Sequence, residues 1–282
     1  MSVDVSPFEV SAAAGPSALR AVGVARLKAE RIAGQTVAME IDEQGPLRLR
    51  FPRIADEGVL EGVMVNTGGG IVGGDKLEFE IEAGEGASLS LTSQASEKIY
   101  RSDGADAKIS VQLTAQPRSN LSWLPQEAIL FDRARIARRI GADVARDATL
   151  TICESVVFGR TAMGETVNSG SIRDRWHIRR DGKLIFADAL TLDGAVGKIL
   201  KKSAVAGGAN AVATLLQVAP DCAERLDAVR AALAQEEVEA GASAFDGILI
   251  VRILAQESMR LRSAILSTLS ALGANPPRAF SL

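Results

Sequence analysis

The chain has little of what most catalytic centres are built from. Its 282 residues include one histidine, His177, and two cysteines, Cys153 and Cys222. One imidazole and two distant thiols cannot supply a four-ligand nitrogen and sulfur zinc site. Neither cysteine has a histidine or aspartate at a recognisable nucleophile spacing, so a Cys-His or Ser-His system would rest on that one imidazole. With no Cys-x-x-Cys pair there is no disulfide framework, and both thiols lie in amphipathic segments as small hydrophobes, which suits a reducing compartment. Aromatic residues are 4% of the chain and the formal net charge is −3. Neither base stacking nor a basic field is therefore available to hold nucleic acid. Two arginine groups, Arg133, Arg135, Arg138 and Arg139, then Arg173, Arg175, Arg179 and Arg180, read as solvated strand edges. No apolar run reaches the roughly 18 residues that span a bilayer. The N-terminus carries Asp4 and Glu9 without the basic and apolar regions of a signal segment. The expectation is a cytoplasmic protein with no membrane contact.

What the chain does have is glycine in one place. Residues 66–75 read N-T-G-G-G-I-V-G-G-D, five glycines in seven positions. Each glycine inside a regular element costs roughly 0.5 to 1 kcal/mol relative to alanine, so the tract marks a special backbone. Gly68, Gly70 and Gly73 match the GxGxxG dinucleotide fingerprint, which requires a helix directly after it. The segment that comes next, Lys76-Leu77-Glu78-Phe79-Glu80-Ile81-Glu82-Ala83, instead alternates charged and apolar like a half-buried strand. A Walker loop fails as well, because Gly74 precedes Asp75 and Lys76. Strand, glycine turn, strand is the reading, with an enzyme that binds nucleotide at the tract as the lesser alternative.

Strand patterns dominate as far as about residue 192. Residues 59–65, 87–93, 109–115, 121–131, 149–158, 171–179 and 183–187 are apolar or two-period runs divided by Gly, Asp or Pro, and Asp181-Gly182 signals a hairpin. Strands in sequence with little helical period between them predict a mainly β, antiparallel-rich body at 17–192 behind a flexible lead-in at 1–16. After Pro220 the period changes. Cys222, Leu226, Val229 and Leu233 outline one amphipathic helix near 221–235, with Asp221 as its N-cap. Gly247 to Leu254 reads as a buried strand. Leu261, Ile265, Leu269 and Leu272 outline a second helix near 257–272, closed by Gly273. Together, 193–282 form a β/α C-terminal part of the same domain.

Three carboxylates stand in unusual settings: Glu97 in S-E-K-I-Y-R-S at 96–102, Glu127 after Pro125-Gln126, and Glu165 at the end of F-G-R-T-A-M-G-E at 158–165. Surface ion pairs of about 0 to 1 kcal/mol are the bland reading. Taken in order, N-T-G-G-G-I-V-G-G-D, S-E-K-I-Y-R-S, W-L-P-Q-E-A-I-L-F at 123–131 and F-G-R-T-A-M-G-E resemble the urease accessory protein D family, called H in some organisms. The likeness is strong over residues 23–193. Beyond these it rests mainly on the element pattern and the Arg252 strand, and the ending Pro277-Arg278-Ala279-Phe280-Ser281-Leu282 departs from the family's aromatic close.

The resemblance implies a non-enzymatic scaffold of stacked, β-helix-like sheets with two helices near the C-terminus. It further implies a complex with accessory protein F, met through the C-terminal region, and with the accessory GTPase G, which engages apo-urease and delivers nickel, with a proposed passage through the protein. No cofactor is expected to bind tightly, while transient Ni2+ suits oxygen ligands that release it readily. Glu97, Glu127 and Glu165, with Asp75 and Asp188 behind them, are the residues expected to line a passage or an interface. Asn66, Gly68, Gly69, Gly70, Gly73, Gly74, Lys98, Arg101, Pro125, Gln126, Gly159, Arg160 and Gly164 are expected to shape the motifs. An adaptor with no metal path is the rival reading.

Overall fold

The computed structural model describes residues 20–52, 58–102, 104–160, 164–274 and 276–280, so the expected lead-in at 1–16 lies outside the described residues. The chain opens with β1 (Val22–Ile32), β2 (Gln35–Gln44), β3 (Leu47–Arg50), β4 (Val59–Asn66), β5 (Lys76–Ala83) and β6 (Ser88–Ser93). Next come β7 (Glu97–Ile99), β8 (Ala107–Ala115), β9 (Asn120–Leu124), β10 (Ala128–Leu130), β11 (Arg135–Val144), β12 (Thr149–Phe158), β13 (Gly170–Arg180) and β14 (Lys183–Gly194). The C-terminal part holds α1 (Val196–Leu200), β15 (Ala211–Val218), α2 (Leu226–Leu233), β16 (Glu239–Phe245), β17 (Ile248–Ala255) and α3 (Ser258–Ala271).

From β4 onward the chain alternates between two sheets, and each circuit stacks on the one before. One sheet runs β14-β13-β11-β8-β5-β1-β2, and the other runs β16-β17-β15-β12-β9-β6-β4-β3. Stacking puts like positions in register: Phe79 beside Val111, Val111 beside Ile140, and Ile140 beside Trp176 in the first sheet. In the second sheet Leu91, Trp123 and Ile152 align in the same way. A short third side is made by the ladder Ile71, Ile99, Leu130 and Phe158, all buried. The result is the expected layered, β-helix-like body.

The pairing differs from the antiparallel-rich expectation. Within the coils, β1, β5, β8, β11 and β13 pair parallel, as do β4, β6, β9 and β12. Antiparallel pairs occupy the ends, at β1·β2, β3·β4 and β13·β14, and the C-terminal β12·β15·β17·β16 extension. Period-two alternation reports only which face is buried, so it is silent on strand direction. Parallel strands ordinarily need a long crossover, and here the strand in the opposite sheet serves as that crossover. Pro125 divides the expected 121–131 strand into β9 and β10, which turns the chain from one side to the next.

The C-terminal helices lie where the period placed them. A 3-10 turn at Cys222–Arg225 leads into α2, α3 ends at Gly273 with φ +67°, and α1 is an addition that the pattern did not announce. Asp221 makes no capping hydrogen bond and instead pairs with Arg225 at 2.7 Å. Among the described residues no helix is long and apolar enough to cross a membrane.

Candidate functional site

The glycine tract lets β4 cross over the third side of the coil. The Asn66 side chain organises it: its Oδ1 accepts the Gly68 N–H at 2.9 Å, while its Nδ2 donates to both Glu97 carboxylate oxygens at 3.2 Å. The Ile71 N–H donates to the Lys98 carbonyl and the Tyr100 N–H to the Ile71 carbonyl, each at 2.8 Å, so the tract pairs directly with the 98–100 segment. A Cβ on Gly73 would sit 2.3 Å from the Ala105 carbonyl oxygen, and one on Gly70, at φ +144°, would enter the Tyr100 ring. Gly69 faces open space but holds φ +72°. Asp75 closes the turn, its carboxylate accepting the Ala21 N–H at 2.8 Å and the Val72 N–H at 2.9 Å.

Behind this crossing lies a half-open cavity of about 230 Å³. Glu97, Asn66 and Gln126 line it beside Phe79 and Trp123, whose rings meet edge to face at 5.4 Å, and Arg138 and Glu154 reach it from the sheets. Burial pushes the Glu97 carboxyl up to about 7, against the pull of the Asn66 amide and the Lys98 amide and ammonium. A carboxyl poised there changes charge near neutral pH. Across the cavity Arg138 is held between Glu154 and Asp174, and all three are buried. The Trp123 Nε1–H donates to Glu154 at 2.8 Å, and the Trp176 Nε1–H donates to Asp174 at 3.1 Å. Burial works against the Arg138 charge, but the two carboxylates outweigh it and keep the guanidinium protonated. One cation between two acids leaves this cluster with an excess of acid, and burial raises the Glu154 carboxyl accordingly.

Comparison with known proteins decides the lineage. The model for the UreD urease accessory protein family matches residues 21–279. The chain belongs to the UreD family. It is 50% identical to the urease accessory protein UreD of Methylobacterium sp. (strain 4-46) over 88% of this chain and 90% of that one. It is 44% identical to the UreD of Azorhizobium caulinodans over 96% of this chain and 100% of that one.

In this UreD chain the five expected carboxylates are dispersed. Glu97 alone lines the cavity. Glu127 is one ladder step away, accepts the Ser96 hydroxyl at 2.8 Å and lies 3.7 Å from Arg262 of α3. Glu165 lies on an outer groove, paired with Arg160 Nε at 2.6 Å. Asp188 pairs with Arg252 at 2.7 Å on the surface. Asp75 is committed to two backbone amides, so it acts as a clamp on the turn. Among the described residues no three His, Cys, Asp or Glu side chains converge as a metal site.

The motif residues shape these spaces. Lys98 and Arg101 are exposed. Gln126 bonds the carbonyls of Ser93 and Ala279 and accepts Arg262, which ties the coil to the C-terminal segment. Gly159, at φ +85°, packs against the Glu165 carbonyl, and Gly164 takes φ +71°. Gly74 takes φ +96° against the Arg20 side chain. His177 is exposed on β13, and both cysteines are buried with their thiols pushed up by burial.

The reading of both arginine groups as solvated edges needs correction. β11 and β13 are interior strands of their sheet, Arg138 is buried, and Arg135 and Arg173 both pair with Asp106. The Arg138, Glu154 and Asp174 cluster was missed, although a signal for it exists in strand alternation. Arg138 shares a face with the buried Ile136 and Ile140, and Asp174 shares one with Ile172 and Trp176.

Proposed function

We propose that this chain is a cytoplasmic, non-catalytic urease maturation factor, a scaffold that joins accessory protein F through its C-terminal part and the accessory GTPase G on apo-urease. In this reading Ni2+ is cargo that passes through the coil interior, and no cofactor is held tightly. The observation that carries the proposal is Glu97, an ionisable, half-buried carboxyl in a cavity that opens beside the glycine tract, positioned by the tract's first residue. Ni2+ accepts carboxylate, carbonyl and water oxygens. A carboxyl that ionises near pH 7 must release a proton to bind it, which keeps the hold weak and the cargo mobile. Glu127 is the next oxygen donor along the ladder. Glu165 and Asp188, paired on the outside, suit contact with partners.

The test is to activate apo-urease with the complete accessory set carrying Glu97→Ala in this chain. Nickel per urease subunit should fall while the accessory proteins still copurify in unchanged proportion. Full nickel content with Glu97→Ala would reject the passage. The protein would then be an adaptor, the second reading, which the dispersal of the acidic side chains favours.

A further inference from the structure

The four sequence motifs meet a second time, outside the coil. An open groove of about 460 Å³ takes Val72 from the glycine tract, Tyr100 and Arg101 from S-E-K-I-Y-R-S, Phe131 from W-L-P-Q-E-A-I-L-F, and Arg160 with Glu165 from F-G-R-T-A-M-G-E. Arg20 completes its rim. The floor is knit together by contacts: Tyr100 and Phe131 pack edge to face at 4.9 Å, the Tyr100 hydroxyl donates to the Gly69 carbonyl at 3.2 Å, and the Arg160 guanidinium stacks over Phe131 at 4.3 Å.

Its charges are unevenly matched. Arg160 is paired with Glu165, and the Asp132 carboxylate is taken up by the N–H groups of Asn168 and Ser169 at 2.8 and 3.0 Å. The side chains of Arg20 and Arg101 make no ion pair or hydrogen bond among the described residues. Two guanidinium groups with no acidic partner among the described residues therefore face an open groove on a chain whose net charge is −3.

We infer that this groove is a docking surface for an acidic segment of a protein partner. Guanidinium groups bind carboxylates through a planar fork. The apolar walls from Val72, Tyr100 and Phe131 fit the aliphatic stems of Glu side chains, which a bare phosphate lacks. Nucleic acid fits less well, because its affinity comes from many phosphate contacts along a basic track, and here the cations are few and interrupted by Glu165 and Asp132. The inference is independent of any nickel route through the coil.

A labelled ten-residue polyglutamate peptide tests it by fluorescence anisotropy on the full chain, with decaglutamine as the uncharged control. Binding should weaken as salt is added and fall about tenfold in Arg20→Ala/Arg101→Ala, since each exposed charge contact is worth a few-fold. Decaglutamine should not bind. Circular dichroism checks the fold of the variant, and Arg101→Gln alone serves if the double variant does not fold. Equal binding by wild type and a folded variant overturns the inference, as does equal binding of decaglutamine. Stronger binding of a single-stranded DNA ten-mer would assign the groove to nucleic acid. Self-association abolished by the same substitutions would assign it to a second copy of the chain. Either outcome also overturns the inference.

Discussion

The coil body and the C-terminal part bury different kinds of residue. Each has its own apolar cluster, one running through the stacked strands and the other joining β15 and β17 to α2 and α3. All the buried charged side chains among the described residues, Asp75, Arg138, Glu154 and Asp174, belong to the body. In the C-terminal part the buried polar side chains are the neutral Gln217 and Thr268, and both are hydrogen-bonded to nearby carbonyls. A buried ion cluster is weak evidence for stability, because desolvation offsets most of the attraction. The difference teaches that the C-terminal part is packed for cohesion, while the body keeps charge around a cavity at some cost to its stability.

The largest expected effect comes from unbalancing that charge. Arg138→Met leaves two carboxylates buried without their cation and should cost about 3 to 5 kcal/mol in urea unfolding. Adding Glu154→Gln and Asp174→Asn keeps acceptors for Trp123 and Trp176, removes both charges and should recover at least half of the loss. A single variant as stable as wild type would mean that the cluster is solvated. In the other region Leu269→Ala should cost about 3 kcal/mol through cavity formation alone, with the same loss at every pH between about 5 and 8, the range in which histidine and the raised Glu97 carboxyl change charge. A pH-dependent loss there would erase the contrast between the two cores.

Much of this organisation could be read from the sequence because burial imposes period two on strands and 3.6 on helices. Lys76 to Ala83, Thr149 to Phe158, the Asp181-Gly182 hairpin and the Gly273 helix end all fall where those periods placed them. Strand direction could not be read, since alternation is identical in parallel and antiparallel sheets. The glycine tract marked a special backbone between two strands, and the collisions that a Cβ would meet at Gly70 and Gly73 account for it. Glu97 was singled out by its motif, but its partner Asn66 is 31 residues away, a spacing set by one turn of the coil. Arg138 was hidden by its neighbours. Read as one of four arginines it resembled a solvated patch, while its position between Ile136 and Ile140 placed it inside.

The smallest effect sharpens the comparison most, because it asks whether the cavity carboxyl is buried at all. Glu97 ionises at about 7 in the folded chain, against an ordinary value of 4.5. Below pH 4.5 both states are protonated and nothing is lost. As pH rises through the window from 4.5 to 7, the unfolded chain releases this proton before the folded chain does, so stability falls across that window. Glu97→Gln removes the titration and keeps an amide to meet Asn66. The variant should match wild type near pH 4.5 and exceed it at pH 8 by on the order of 2 kcal/mol. Taking the difference between the two proteins cancels the other titrating groups, so the sign is diagnostic. A difference that stays flat with pH would place Glu97 in water, and the body would then keep its charge for the Arg138 cluster alone.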